Sequence, residues 1–302
     1  MKGLKIVLGL GLLTCLFGCG KKKLKVDLKD KGLCVSTGYE RYTFDSNTNK
    51  WKPYHKYEII YDENGKKLYD LIYIWYKKDK WTHLEDKDEY IYDDNGLLIK
   101  KISSYDFSHG VINEGNRTIE YEYEGNVLKT TTERTKTLGL LNKETYSYDS
   151  NGNISCIITE KTGSNPSFKR EFIYNENNLK TKTLYYEFDS SSSTYKDPID
   201  EDIYEYDENN NLITYYHKNT EKGINEVYWT SDYKEVSTYD SNNKKIETIG
   251  YTINGENVQM AAKFAYDYFS NGNTKSVTVS RYINDEWVIS YKNVYLQTTY
   301  NN

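Results

Sequence analysis

The chain has 302 residues, with 40 Lys and Arg against 45 Asp and Glu, a net charge of −5. That mild acidity argues against a nucleic-acid partner, because phosphate binding needs a net basic surface. A composition of 33 Tyr against 8 Phe, 3 Pro and 2 Met, at a mean hydropathy of −0.84, excludes a thick aliphatic core. So many regularly placed aromatics also exclude a disordered chain.

Residues 1–18 read as an export signal: Lys2 and Lys5 form a positive start, and Ile6 to Phe17 an apolar stretch too short to span a bilayer. Leu16-Phe17-Gly18-Cys19 then resembles the lipobox of bacterial lipoproteins. Cys15 is the poorer candidate, since Thr14 is a less favoured residue before a cleavage point. The alternatives are an ordinary signal peptide with an incidental cysteine, or a buried apolar helix. The lipobox resemblance implies a diacylglycerol thioether on Cys19 and an amide-linked acyl chain such as palmitate. Two or three chains hold a protein to a membrane firmly where one does not. The expected location is the bacterial cell envelope, at the outer membrane or cell surface.

Residues 19–35 read as the lipidated N-terminus and tether, with Lys21, Lys22 and Lys23 beside the anchor. Cleavage removes two lysines, leaving 38 basic and 45 acidic residues, a charge of −7. Cys34 and Cys156 are then the remaining thiols, open to pairing in an oxidising compartment but too few for a disulfide framework.

Residues 36–302 form a repeat domain. Its unit is aromatic-x-aromatic-Asp, a turn with Asn-Gly or Asn-Asn, and an aliphatic residue. A cruder start shows at Tyr42 to Asn47. Copies follow at Tyr57 to Leu68, Tyr90 to Leu98, Tyr121 to Leu128, Tyr146 to Ile154, Phe172 to Leu179, Tyr204 to Leu212, Tyr239 to Ile246 and Phe264 to Gly272. The last is read with Tyr266 before Asp267, and the steps run from 25 to 33 residues. Aromatics at i and i+2 share one face of a strand, and Asp followed by Asn or Gly closes a hairpin. Between these turns lie looser ones that lead into a Trp, as at Thr48 to Trp51, Lys77 to Trp81 and Ile283 to Trp287.

Two turns per step predict two strands per step, hence about sixteen antiparallel strands in an all-β meander of hairpins. At roughly 4.8 Å per strand a flat ribbon would be about 75 Å long. A propeller needs four strands per blade, and a membrane barrel needs an outward apolar band that these charged strands lack. The expected fold is therefore a long, twisted, largely single-layer sheet.

Tyr90 to Leu98 and Tyr146 to Ile154 resemble the YD repeats of the Rhs family, whose core is Tyr-x-Tyr-Asp-x-x-Gly and an aliphatic residue. The steps here are longer and less even, and the polar residue common after the Gly occurs only as Asn153 and Asn273. The chain is also similar to tandem repeats of secreted bacterial surface proteins. The resemblance implies a β-ribbon or shell with a structural or adhesive role.

Nothing in the sequence assembles an active site. Asp62 to Gly65, Asp93 to Gly96 and Asp149 to Gly152 invite a calcium loop but lack the distal Glu ligand. His55, His83, His109 and His217 have no metal-ligand spacing, and Asp200, Glu201 and Asp202 read as a solvated strand lead-in. The expectation is therefore no catalytic residue, no cofactor and no metal. The aromatic residues Trp51, Tyr73, Trp75, Trp81, Tyr185, Tyr216, Trp229 and Trp287 are the candidate binding surface, for a glycan or an envelope or host protein. The competing account is that these rings only cover one another. Display of such a surface, a purely structural or assembly role and, less so, a hydrolase are the functions to be weighed.

Overall fold

The computed structural model describes residues 35–62, 64–76, 80–106, 112–162, 166–219 and 232–296. Cys19, the tether and Trp229 lie outside them. The described residues form strands β1 (Val35–Asp45), β2 (Lys50–Tyr61), β3 (Lys67–Tyr76), β4 (Lys80–Tyr92), β5 (Leu98–Asp106), β6 (Ile112–Glu124), β7 (Val127–Thr135), β8 (Gly139–Tyr148), β9 (Ile154–Lys161) and β10 (Pro166–Tyr174). They continue as β11 (Lys180–Asp189), β12 (Thr194–Tyr195), β13 (Asp200–Tyr206), β14 (Leu212–Asn219), β15 (Asp232–Tyr239), β16 (Lys245–Asn254), β17 (Asn257–Tyr268), β18 (Thr274–Ile283) and β19 (Glu286–Leu296). Each long strand pairs antiparallel with the next, and the two-residue β12 only extends the tip between β11 and β13.

The ring closes. β1 pairs with β19 from Gly38↔Leu296 to Thr43↔Tyr291, so eighteen strands make a barrel and not the open sheet the sequence predicts. The seam is held by Tyr39, whose ring stacks on Tyr57 at 4.3 Å and meets Tyr295 at 5.5 Å. Closure also satisfies two rows of backbone donors and acceptors that an open sheet would leave exposed.

The repeat dictates one rim. Seven turns share a single geometry, shown by Asp149: its N–H donates to the Asn153 carbonyl at 2.9 Å, and the Gly152 N–H donates back to its carbonyl at 3.1 Å. The Asp149 carboxylate accepts the Asn151 and Asn153 N–H groups at 2.9 and 2.8 Å. Gly152 sits at φ +82°, where L side chains are strained, and Asn178, Asn210 and Asn243 take that place in other copies. In the last copy the turn opens on Phe269, two residues beyond the Asp267 expected from sequence. The Tyr121 to Leu128 copy differs, with Gly125 at φ +60° in a two-residue turn.

A bulge lies beside every one of these eight turns, its extra residue on the return strand opposite the tyrosine that precedes the turn. Tyr92, Tyr123, Tyr148, Tyr174, Tyr206, Tyr239 and Tyr268 each donate their hydroxyl to a carbonyl at the start of the preceding hairpin's return strand, at 2.7–3.0 Å. Phenylalanine cannot make that bond, which accounts for seven of the 33 tyrosines. The opposite rim carries the looser tips and varies in length.

Candidate functional site

Strand alternation gives the barrel two faces, and its stagger tells them apart. The row starting at Tyr39↔Tyr57 passes Ile72, Asp86 and Tyr105 to Asn113, each farther from the Tyr–Asp rim. Strands twist with one hand, so a stagger in this sense places Arg41, Tyr57, Asp88, Tyr90, Glu144, Asp202 and their row partners on the concave face. Exposure agrees: Thr145, Ser147, Glu205 and Asp267 on the convex face are exposed, while Tyr146, Tyr204 and Tyr266 beside them are half-buried.

Neither face is an apolar band. The convex face carries Lys56–Glu58 at 3.1 Å, Lys87–Glu89 at 3.2 Å, Lys169–Glu171 at 2.8 Å and Lys182–Glu201 at 3.0 Å. Its buried apolar content is one small cluster, Ile60, Leu71 and Leu84 with Tyr69 and Tyr73, and exposed apolar side chains such as Ile173 and Ile289 stand among these charges. A charge on a lipid-facing strand costs about 2–4 kcal/mol at mid-bilayer, so this face suits water.

The concave face encloses the candidate site. A round eighteen-strand barrel at ordinary strand spacing and tilt is on the order of 35 Å across between backbone walls. Strand contacts run between ring neighbours, apart from a slight one between β4 and β6, and no packed core fills the middle among the described residues. The lumen is lined instead by tyrosines linked to charged groups.

Asp202 is the densest node of that lining. It is 4 % exposed, and its carboxylate accepts Tyr185 at 2.7 Å, Tyr204 at 3.2 Å and Tyr215 at 3.0 Å. His217 Nδ1 lies 2.8 Å from it. The solvated lead-in expected from sequence is not what forms: Glu201 faces outward but is ion-paired between Lys182 and Lys218 at 15 % side-chain exposure, and Asp202 turns inward by strand parity. Burial, then Asp202, raises the Tyr185 and Tyr215 hydroxyl pKa values well above the ordinary range. Around the ring, Arg170 pairs with Glu144 at 2.7 Å, Arg117 with Glu133 at 2.5 Å, and Lys101 with Asp88 at 2.7 Å.

The aromatic residues expected to form a binding surface are spread over both faces. Tyr185 lines the lumen. Trp51, Tyr73, Trp75, Tyr216 and Trp287 sit on the convex face by parity. Trp51 meets Phe44 edge-on at 5.2 Å, Trp287 meets Tyr282 at 5.1 Å, and Tyr216 donates to Asp232 at 2.6 Å. Closure brings Trp287 on β19 near Trp51 on β2, but Tyr216 on β14 lies far round the ring. Trp81 is placed only as the β4 residue opposite Trp75. Sequence reasoning set Asp202 and His217 aside and missed Arg41. Their shared signal is a charged residue on the aromatic parity of a strand.

No family model and no curated protein matches this chain. Solved structures do. A porin-like protein from Bacteroides uniformis is similar over 87 % of this chain and 96 % of its own, at 11 % identity and a TM-score of 0.45. The TcdB2-TccC3-Cdc42 structure is similar over 81 % of this chain and 17 % of its own, at 12 % identity and a TM-score of 0.32. The Photorhabdus luminescens Tc holotoxin pore matches over 78 % and 18 %, at 10 % identity and a TM-score of 0.21. This chain therefore spans a fifth or less of the Tc chains, and at such scores function does not transfer.

Proposed function

We propose that this chain is a lipid-anchored, non-enzymatic binding protein of the bacterial envelope, with the tyrosine-lined lumen as its binding surface and a glycan as its ligand. The observation that carries this reading is the closed barrel, with no packed core in its middle among the described residues. Its concave wall combines ring faces with hydroxyls and ion pairs, which suits a polar, ring-bearing ligand. The buried carboxylate Asp202 is spent on four donors, which favours a fixed wall over a reacting group.

The lipid belongs on Cys19, and topology then orients the barrel. β1 and β19 both have their free ends at the Tyr–Asp rim, because that rim also holds the β2–β3 turn. A membrane reached through residues 19–34 lies on that side, so the variable tips face outward as the open mouth. A glycan array and an envelope pull-down with the full chain in detergent test the reading; silence in both removes it. Labelling with palmitate, lost in Cys19→Ala, tests the anchor.

A purely structural role is the second reading. Extension through sheet edges has no template in this barrel, because β1 and β19 occupy each other. A concentration-independent monomer in light scattering counts against assembly by any other route.

A further inference from the structure

Among the described residues, Arg41 is a lumenal cation that its surroundings leave unanswered. Arg117 and Arg170 each face a carboxylate within 2.7 Å. Arg41, also inward on β1, has no carboxylate within ion-pair distance among the described residues. Its Nε donates to the neutral Asn293 side chain at 3.0 Å. The guanidinium carries five N–H donors, so four are left for the lumen. Its Cζ lies 4.8 Å from the Tyr291 ring centre and 5.5 Å from that of Tyr57, so two aromatic faces fix the fork in place.

Other titratable groups near the fork do not neutralise it. His55, opposite Arg41 on β2, contacts Glu85 through Nε2 at 3.2 Å, and burial lowers its pKa, so it adds no positive charge at neutral pH. Tyr39 and Tyr295 are neutral there as well, held protonated chiefly by burial. The result is a planar, pre-oriented guanidinium on a concave aromatic wall. That arrangement matches a carboxylate accepted by two parallel N–H groups.

We propose that the β19–β1–β2 seam binds the carboxylate of an acidic sugar, with Arg41 as the anchoring residue. The proposal rests on the glycan reading above and names its ligand class. Tyr291 and Asn293 position the fork, and the aromatic wall beside it receives the sugar ring.

The test uses the full chain in detergent with two probes of one backbone, an oligogalacturonate and its fully methyl-esterified form. The wild type is expected to bind the acid at least about tenfold more tightly, with a preference that falls as salt rises. Arg41→Gln should abolish the preference with the far-ultraviolet spectrum unchanged. Asn293→Asp, which sets a carboxylate against the fork without removing its packing, should do the same and covers a misfolded Arg41→Gln. Equal binding of acid and ester by the wild type, or a preference that survives both variants, overturns the acidic-sugar site. Binding of neither probe overturns it too, while binding of other glycans on the array leaves the broader reading standing. Silence across the whole array ends both.

Discussion

Asp202 concentrates the residue-scale chemistry of the barrel. Four donors converge on one buried carboxylate. Asp202→Leu strands three tyrosine hydroxyls and a histidine in the lining, so a loss of roughly 3 kcal/mol is expected in urea unfolding. Asp202→Asn, which keeps acceptor capacity, should lose less. A second effect at this scale is pH. Burial, ahead of other causes, pushes Tyr39, Tyr146, Tyr186 and Tyr216 up to about 12. A tyrosine in an unfolded chain titrates near 10, so the folded form holds these protons longer. Their contribution is complete below pH 10 and is lost as pH rises toward 12. The urea midpoint should fall across that window, with tyrosinate absorbance lagging behind the ordinary titration. Tyrosinate appearing near pH 10 with the midpoint unmoved would refute the assignment. On the acid side, Asp149 and Asp207 are held low, first by the Asn153 and Asn211 side chains. Their contribution to the rim is present above about pH 4 and fades below it.

At the scale of the hairpin, the repeat joins turn and clamp into one device. The aspartate closes its own turn, the return strand bulges opposite the preceding tyrosine, and that tyrosine's hydroxyl ties the hairpin to the one before. Removing a single clamp with Tyr148→Phe should cost about 1 kcal/mol, because one carbonyl loses one neutral donor while the ring stays packed. Gly152→Ala forces a β-carbon into a left-handed turn and should cost about 1–2 kcal/mol in the same measurement. Most of this level was legible in the sequence, since Asp-x-Asn-Gly fixes a turn through contacts spanning four residues. The misplacement of the last copy shows the boundary. Tyr266-Asp267 has the local letters, but the turn forms around Phe269, where Asn271, Gly272 and Asn273 supply the required conformation and the Asn273 N–H finds the Asn271 side chain at 3.1 Å.

Over the whole molecule, closure converts a ribbon with edges into a container with a lumen. Strand type and pairing order follow from patterns repeated every 25 to 33 residues, while the ring holds eighteen strands against the about sixteen expected. The pairing of β1 with β19 joins residues about 250 positions apart, and nothing in either strand marks it as complementary to the other. For the same reason the candidate site was only partly legible. Tyrosine at alternate positions announces a shared face, but whether that face is concave depends on stagger accumulated over eighteen strands. Arg41 and Asn293 become neighbours only through the seam, so neither stands out in its own segment.

The central claim is that the sheet closes, and a disulfide across the seam tests it most directly. Thr43 and Tyr291 face each other as partners of β1 and β19, and directly opposed strand residues have Cβ atoms about 4.5–5.5 Å apart. In a Cys34→Ser, Cys156→Ser background, Thr43→Cys with Tyr291→Cys should form an intramolecular disulfide on mild oxidation of the dilute chain, read by mass spectrometry and mobility. An open sheet would hold those positions at opposite edges, on the order of 80 Å apart. Closure predicts a cross-linked monomer; free thiols, or cross-links only between chains, would contradict it.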